Sequence, residues 1–267
     1  MKYGAEQEKQ LMTELWSLNI KDSPLNFVKF AFPWGQENTP LEDFTGPREW
    51  QEKILRDIEI HIQRNQNMTM PEMFRLAVAS GRGIGKSALV AWLILWMLST
   101  RLGSTIIVTA NTEQQLRSRT WAELGKWLTL SINSHWFHKT ATSLKPEKWF
   151  EEALIRDLQI DTGYYYAQAQ LWSEENPDAF AGIHSTYGVC LIMDEASGIP
   201  APIYSVSEGF FSEPTSDRYW FTFSNPRRNT GPFYDSFYSK RKYWNNEQID
   251  SRTVEGTDQK LFQTMLE

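Results

Sequence analysis

The chain has 267 residues, 41% apolar and 22% charged, an ordinary balance for one large or two small soluble globular domains. Its formal net charge of −6 argues against tight, static binding to nucleic acid, which usually shows a basic footprint, but leaves room for a motor that grips DNA briefly. The single cysteine, Cys190, excludes an internal disulfide and suits a reducing cytoplasm.

In chain order, Met1 to Glu6 lack the basic and apolar regions of a signal peptide. Residues 5 to 18 place Leu11, Met12, Leu15 and Trp16 on one side of a predicted helix. A looser segment follows, carrying Pro24, Pro33, Pro40 and Gly46-Pro47. From Trp50 to Ile62 the apolar spacing is helical again (Trp50, Ile54, Leu55, Ile58). Gln51, near the start of that helix, is either a reader of the donor and acceptor edges of adenine or a solvated helix-face glutamine.

Phe74 to Ala79 is short, largely apolar and bounded by a turn, as a buried strand is. It runs into Ser80-Gly81-Arg82-Gly83-Ile84-Gly85-Lys86-Ser87, and Ala88 to Leu98 continues as an almost wholly apolar helix. Strand, glycine-rich loop and helix start form the context of a phosphate-binding loop, with Ser80 where the usual pattern opens on glycine. Gly81, Gly83 and Gly85 let successive N–H groups turn inward toward phosphate oxygens, and the helix adds its positive end. Lys86 is expected to reach the β- and γ-phosphates and the Ser87 hydroxyl to ligate magnesium. Arg82 either stabilises charge on the transferring phosphoryl group or holds the loop by a salt bridge. The apolar run of the helix covers about 11 residues, short of the about 20 that a bilayer requires, so no membrane segment is expected.

Ser104 to Ala110 reads as a second buried strand and Thr112 to Leu130 as a helix. Leu154 to Ile160 and Tyr164 to Gln170 are expected as two strands joined by the turn Asp161-Thr162-Gly163. His135 and His138 have the spacing of a metal pair, but nothing completes a site, so packing or surface roles are the expectation. Val189 to Met193 is a buried strand delivering Asp194 and Glu195 at its C-terminal end. That pair is either the magnesium holder and water-polarising base of an ATPase or an acidic turn capping the next helix. Arg218 to Phe223 is a further strand, running into Ser224-Asn225-Pro226, which is either a γ-phosphate sensor or a turn initiator. Arg227-Arg228 beyond it either touches a phosphate backbone or is a solvated loop. Strands alternating with helices imply an α/β fold with a mainly parallel sheet.

Taken in order, these residues resemble the ATPase half of the large terminase subunit, the DNA-packaging motor of tailed bacteriophages. The resemblance rests on Trp50-Gln51, the loop from Ser80 to Ser87, Val108 to Thr112 with Gln114-Gln115, Leu191 to Ala196, and Phe223 to Pro226 leading into Gly231 to Tyr234. It implies an ASCE-type P-loop NTPase with a mainly parallel sheet flanked by helices and a small lid subdomain. The core would span about 67–225, with the lid from about 1–66 and 226–267. It further implies that Gln51 reads adenine, that the loop binds ATP, that Ser87 and Asp194 hold Mg2+, and that Glu195, Arg82 and Lys86 are catalytic. Ser224 and Asn225 would couple hydrolysis to movement. Double-stranded DNA, a portal and a small terminase subunit are the implied partners. The implied assembly is a homo-oligomeric ring on the procapsid and a monomer when isolated, in the host cell cytoplasm. Two departures stand out. The chain stops at Glu267, too early for the family's nuclease domain, so no DNA cleavage is expected. No Lys or Arg lies between Arg156 and Arg218, so an intersubunit arginine would come from Arg117, Arg119 or Arg156.

Overall fold

The structure is a computed structural model and describes residues 3–180, 182–183, 185–258 and 264. The N-terminal part contains α1 (Ala5–Leu15), α2 (Leu18–Lys21), α3 (Pro24–Ala31) and α4 (Glu49–Asn65). Then come β1 (Phe74–Ser80), α5 (Lys86–Thr100), β2 (Thr105–Thr109), α6 (Glu113–Gln115) and α7 (Ala122–Leu130). β3 (Phe137–Lys139), β4 (Ser143–Pro146), α8 (Lys148–Leu158) and β5 (Tyr166–Ala169) follow. The last part holds β6 (Val189–Asp194), α9 (Ala201–Ser207), β7 (Arg218–Ser224), α10 (Pro232–Phe237) and β8 (Asn245–Ile249).

The strands form one eight-stranded sheet in the order β3-β4-β5-β2-β6-β7-β1-β8. The pairs from β5 through β8 are parallel, and only the β3–β4 and β4–β5 pairs are antiparallel. Covering both faces is what makes the central strands read as continuous apolar runs. Along β6, Cys190 and Ile192 face one core with α1, α3, α4, α5 and α7, while Val189, Leu191 and Met193 face a second core with α9 and α10. β7 alternates the same way, with Tyr219, Phe221 and Phe223 on the first side and Trp220 on the second. Helix α5 is buried all round from Leu89 to Thr100, as a helix without a polar face must be. Trp92 on α5 meets Trp34 and Trp127 edge-on at 5.8 and 4.9 Å, an arrangement worth about 1 kcal/mol per pair beyond burial.

Several elements differ from the sequence reading. Residues 154–160 are not a strand: Phe150 and Leu154, four apart, form the buried stripe of α8, which ends at Gln159 in a left-handed conformation (φ 55°). Asp161-Thr162-Gly163 therefore joins a helix to β5, with Asp161 Oδ1 accepting from the Gly163 N–H at 2.9 Å. The helix expected over Thr112 to Leu130 is broken by a π turn, Leu116–Trp121. Pro24 lies in no loose segment; it opens α3, where its missing N–H costs nothing, and Ser23 caps the helix by accepting from Asn26 N at 3.2 Å.

The segments on either side of the 67–225 region are built into these layers. Leu15, Phe27, Val28 and Ile54 are fully buried in the same core as α5. Arg101 at the end of α5 pairs with Asp22 at 2.9 Å and Asp217 at 3.0 Å, tying the N-terminal helices to the sheet. At the other end, β8 pairs with β1 from Leu76 to Ser80. His135 packs as the sequence suggested, stacked on Trp149 and bonded to Glu8 at 2.8 Å. Among the described residues, no helix is long and apolar enough to cross a membrane.

Candidate functional site

The site lies at the carboxyl ends of β1, β7 and β6, where ligands sit in open parallel sheets. Ser80 ends β1, residues 81–85 form the loop, and Lys86 opens α5. Gly83 and Gly85 adopt φ of +73° and +92°, which side chains strain to reach. Helix α4 braces the loop from one side. Trp50 Nε1 donates to the Ile84 carbonyl at 3.1 Å, Gln51 Nε2 to the Gly85 carbonyl at 2.8 Å and Arg48 Nη1 to the Gly83 carbonyl at 3.2 Å.

Gln51 is 2% exposed, and its Oε1 accepts from the Arg48 N–H at 2.9 Å. Both ends of its amide are occupied by the chain's own backbone. Its amide braces the loop here.

Lys86 Nζ donates to Gly81 O at 2.7 Å, Asn225 Oδ1 at 2.9 Å and Ser80 Oγ at 3.1 Å. One ammonium thus joins the loop to the tip of β7. Burial pushes its pKa down, against the upward pull of Asp194 and Glu195, with Arg82 and Arg227 adding to the depression. β7 lies between β1 and β6, so the loop strand and the acid strand are about 10 Å apart, two strand spacings. That gap suits a phosphate group and its counter-charges.

Asp194 Oδ2 accepts from Thr120 Oγ1 at 2.7 Å, and its Oδ1 from the Glu195 N–H at 3.0 Å. Burial raises its pKa, with the Glu195 charge adding to the rise, while the Thr120 bond and Lys86 oppose it. Thr120 sits on the π turn, a distortion common at functional sites, and reading 112–130 as a regular helix could not find it. Glu195 is held in the left-handed region (φ 52°, ψ 40°), and its carbonyl accepts from Asn111 Nδ2 at 3.0 Å. Gly198 closes the same turn so tightly that a Cβ there would lie 2.2 Å from Asn111 Nδ2. On β7, Ser224 Oγ donates to Ser197 Oγ at 2.8 Å and accepts from Ser197 N at 3.1 Å, so the Ser-Asn tip also touches the segment after Glu195.

Ser87, half-buried, follows Lys86 at the helix start. Two adjacent carboxylates, one with its charged form disfavoured by burial, make a donor set that gains from a hard divalent cation. Among the described residues no group of three or more His, Cys, Asp and Glu could hold a metal ion, so phosphate oxygens and water would have to complete any such site. Arg82 is exposed, with no ion pair among the described residues. Arg117 pairs with Glu113 at 2.7 Å and Arg156 with Asp157 at 2.7 Å, whereas Arg119 is exposed beside Thr120. The C-terminal stretch closes over the loop: a Cβ on Gly81 would lie 2.1 Å from Ser251 Oγ, and Glu255 Oε1 accepts from Glu49 N at 2.6 Å. Between these parts and α10 opens a cleft of about 1030 Å³, lined in part by Ser80, Gly81 and Asn225.

Residues 77–207, just under half of the chain, match the helicase domain of the RNA cytidine acetyltransferase NAT10/TcmA family. No curated protein matches the chain. Among solved structures, a point mutant of the large terminase ATPase domain of Thermus phage P74-26 is similar at 18% identity and a TM-score of 0.50, over 77% of this chain and 82% of that one. The large terminase of the thermophilic bacteriophage D6E is similar in two crystal forms. One has 12% identity and a TM-score of 0.51 over 79% of this chain, the other 14% and 0.50 over 77%. The chain spans about half the length of that protein, 48% and 49%. At these identities the likeness is one of fold. The chain has the fold of a P-loop NTPase.

Proposed function

We propose that the chain is the ATP-hydrolysing motor domain of a viral genome-packaging terminase, driving double-stranded DNA into a procapsid. The observation that carries this reading is that Lys86 bonds both the loop and the Ser-Asn tip of β7, beside the strand β6 that ends in the acid pair. The fold likeness to terminase ATPase domains supports it.

With three loop carbonyls turned toward α4, the N–H groups of Gly81 to Ser87 are left to cradle the β- and γ-phosphates. Lys86 exchanges its neutral oxygen partners for phosphate oxygens, which relieves a buried, under-compensated cation. Ser87 and Asp194 would hold Mg2+, which supplies neutralisation of charge on the phosphate oxygens. Glu195 polarises the attacking water, its backbone fixed by Asn111 and its neighbour Asp194 by Thr120. Arg82, exposed at the loop, adds positive charge at the γ-phosphate. When Lys86 turns to the nucleotide, Asn225 loses its donor. Ser224, bonded to Ser197, then carries that change between the acid turn and β7. Of the segments expected to form the lid, about 1–66 and 226–267, the second already lays Ser251 and Glu255 against the loop and α4. In this reading the domain works in a homo-oligomeric ring with portal and small subunit, in the host cytoplasm, and is monomeric alone.

The match to a helicase domain favours a second reading, a helicase-like translocase. DNA-stimulated phosphate release combined with triplex displacement and strand-separation assays distinguishes the two. The packaging reading expects duplex to stimulate turnover and a triplex strand to be displaced without unwinding. Unwinding of a forked duplex supports the second reading, and no stimulation by any nucleic acid contradicts both.

A further inference from the structure

The cleft beside the loop shares Ser80, Gly81 and Asn225 with the nucleotide site and carries further groups that the hydrolysis steps above do not use. Its walls come from the end of β1, the turn after β7, α10 and the end of β8. Arg227 and Arg228 line it, both exposed and without a side-chain hydrogen bond or ion pair among the described residues. The rings of Tyr234 and Tyr238 stack at 4.2 Å and 23°, and Tyr238 is 61% exposed. The carboxylate on the lip, Asp250, is neutralised by Arg252 at 2.6 Å. The charged residues that line the cleft are Arg227, Arg228 and the paired Asp250, in a chain whose formal net charge is −6. A basic, aromatic surface in an acidic protein is a local device for an anionic polymer.

We infer that this cleft binds the phosphodiester backbone of a nucleic acid, with Arg227 and Arg228 on phosphates and the Tyr238 ring against a sugar or base. The inference rests on the motor reading and gives it a grip. Asn225, which accepts from Lys86, is two residues from Arg227 in the chain, so a change at the nucleotide reaches the cleft through one short turn.

The test uses the whole chain without nucleotide. Fluorescence anisotropy follows binding of a labelled duplex and a labelled single strand of about 20 nucleotides, from roughly 50 to 200 mM salt. The Arg227→Ala/Arg228→Ala variant should bind about tenfold or more weakly, with a salt slope lower by about one per arginine. Tyr238→Ala should weaken the single strand about tenfold, through lost stacking. Lys148→Ala, on the far and exposed start of α8, should match wild type. Loss in either arm supports the cleft and tells which form it takes. Three results overturn it: no binding by wild type, unaltered binding by both cleft variants, or a loss that falls on fluorescent ADP instead of the oligonucleotides, which would make the cleft a nucleoside pocket. If wild type binds neither ATP nor ADP, the motor reading fails, while the oligonucleotide arm still decides the cleft.

Discussion

Gly198→Ala is a small change with a large expected consequence. The three atoms nearest to the new methyl group all belong to Asn111, at 2.2 Å (Nδ2), 2.7 Å (Cγ) and 2.8 Å (Oδ1). Asn111 must swing away, and its 3.0 Å bond to the Glu195 carbonyl is lost. That bond is worth about 1 kcal/mol. It also helps hold Glu195 in a left-handed conformation that costs a non-glycine residue about 1–2 kcal/mol, so the expected loss of stability is about 1–3 kcal/mol. If Glu195 shifts by about 1 Å, turnover falls by about 100-fold, the usual penalty for such a misplacement. Affinity for ADP stays at the wild-type value, because the contacts of Lys86 lie elsewhere. The assays are phosphate release, urea unfolding and binding of fluorescent ADP. A double-mutant cycle with Asn111→Ala isolates the mechanism: on that background Gly198→Ala should add less than about 0.5 kcal/mol. Wild-type turnover in Gly198→Ala, or an equal penalty with and without Asn111, would refute the reasoning.

Gln51→Ala removes the brace on Gly85 and should lower stability by about 1–2 kcal/mol while weakening ATP and GTP equally; a loss confined to ATP in competition binding would instead support adenine reading. Asn225→Ala should keep ATP binding and lose the stimulation of hydrolysis by DNA, so stimulation equal to wild type contradicts a coupling role for that side chain. His61 is buried beside Phe74 and Tyr219, and burial, with the Arg64 charge adding, holds its pKa at about 4 instead of 6.5. Its folded-state pKa lies below the unfolded value, so its contribution is complete above pH 6.5 and is lost as pH falls toward 4, about 3 kcal/mol in all. Urea unfolding of wild type against His61→Gln across that window should show the difference, and parallel curves would contradict it.

The parts of the site that were legible from the residues lie where chemistry and burial coincide. β1, β6 and β7 are covered on both faces, so they appear as unbroken apolar runs, and each ends in its polar residues at the same edge of the sheet. β8 gave no such signal, because Asn245 to Ile249 forms a polar, half-exposed edge strand that pairs, among the described residues, with β1 alone. Residues 154–160 misled because Leu154 and Ile155 are adjacent apolar residues, and the helical stripe becomes visible only from Phe150 onward. Thr120 was hidden by the π turn, a backbone choice that residue type does not announce. The bonds of Gln51 to main-chain atoms of Arg48 and Gly85 come from the way α4 meets the loop, which no spacing rule specifies.

The central claim is that Lys86, Asp194, Glu195 and Asn225 act on one bound triphosphate. Its most direct test is the binding of fluorescent ATP and the release of phosphate by wild type, Lys86→Ala and Glu195→Gln, side by side. The expected pattern is that Lys86→Ala loses both, while Glu195→Gln binds as wild type and hydrolyses about 100- to 10,000-fold more slowly. Turnover at the wild-type rate in Glu195→Gln, or undiminished ATP binding in Lys86→Ala, would contradict it.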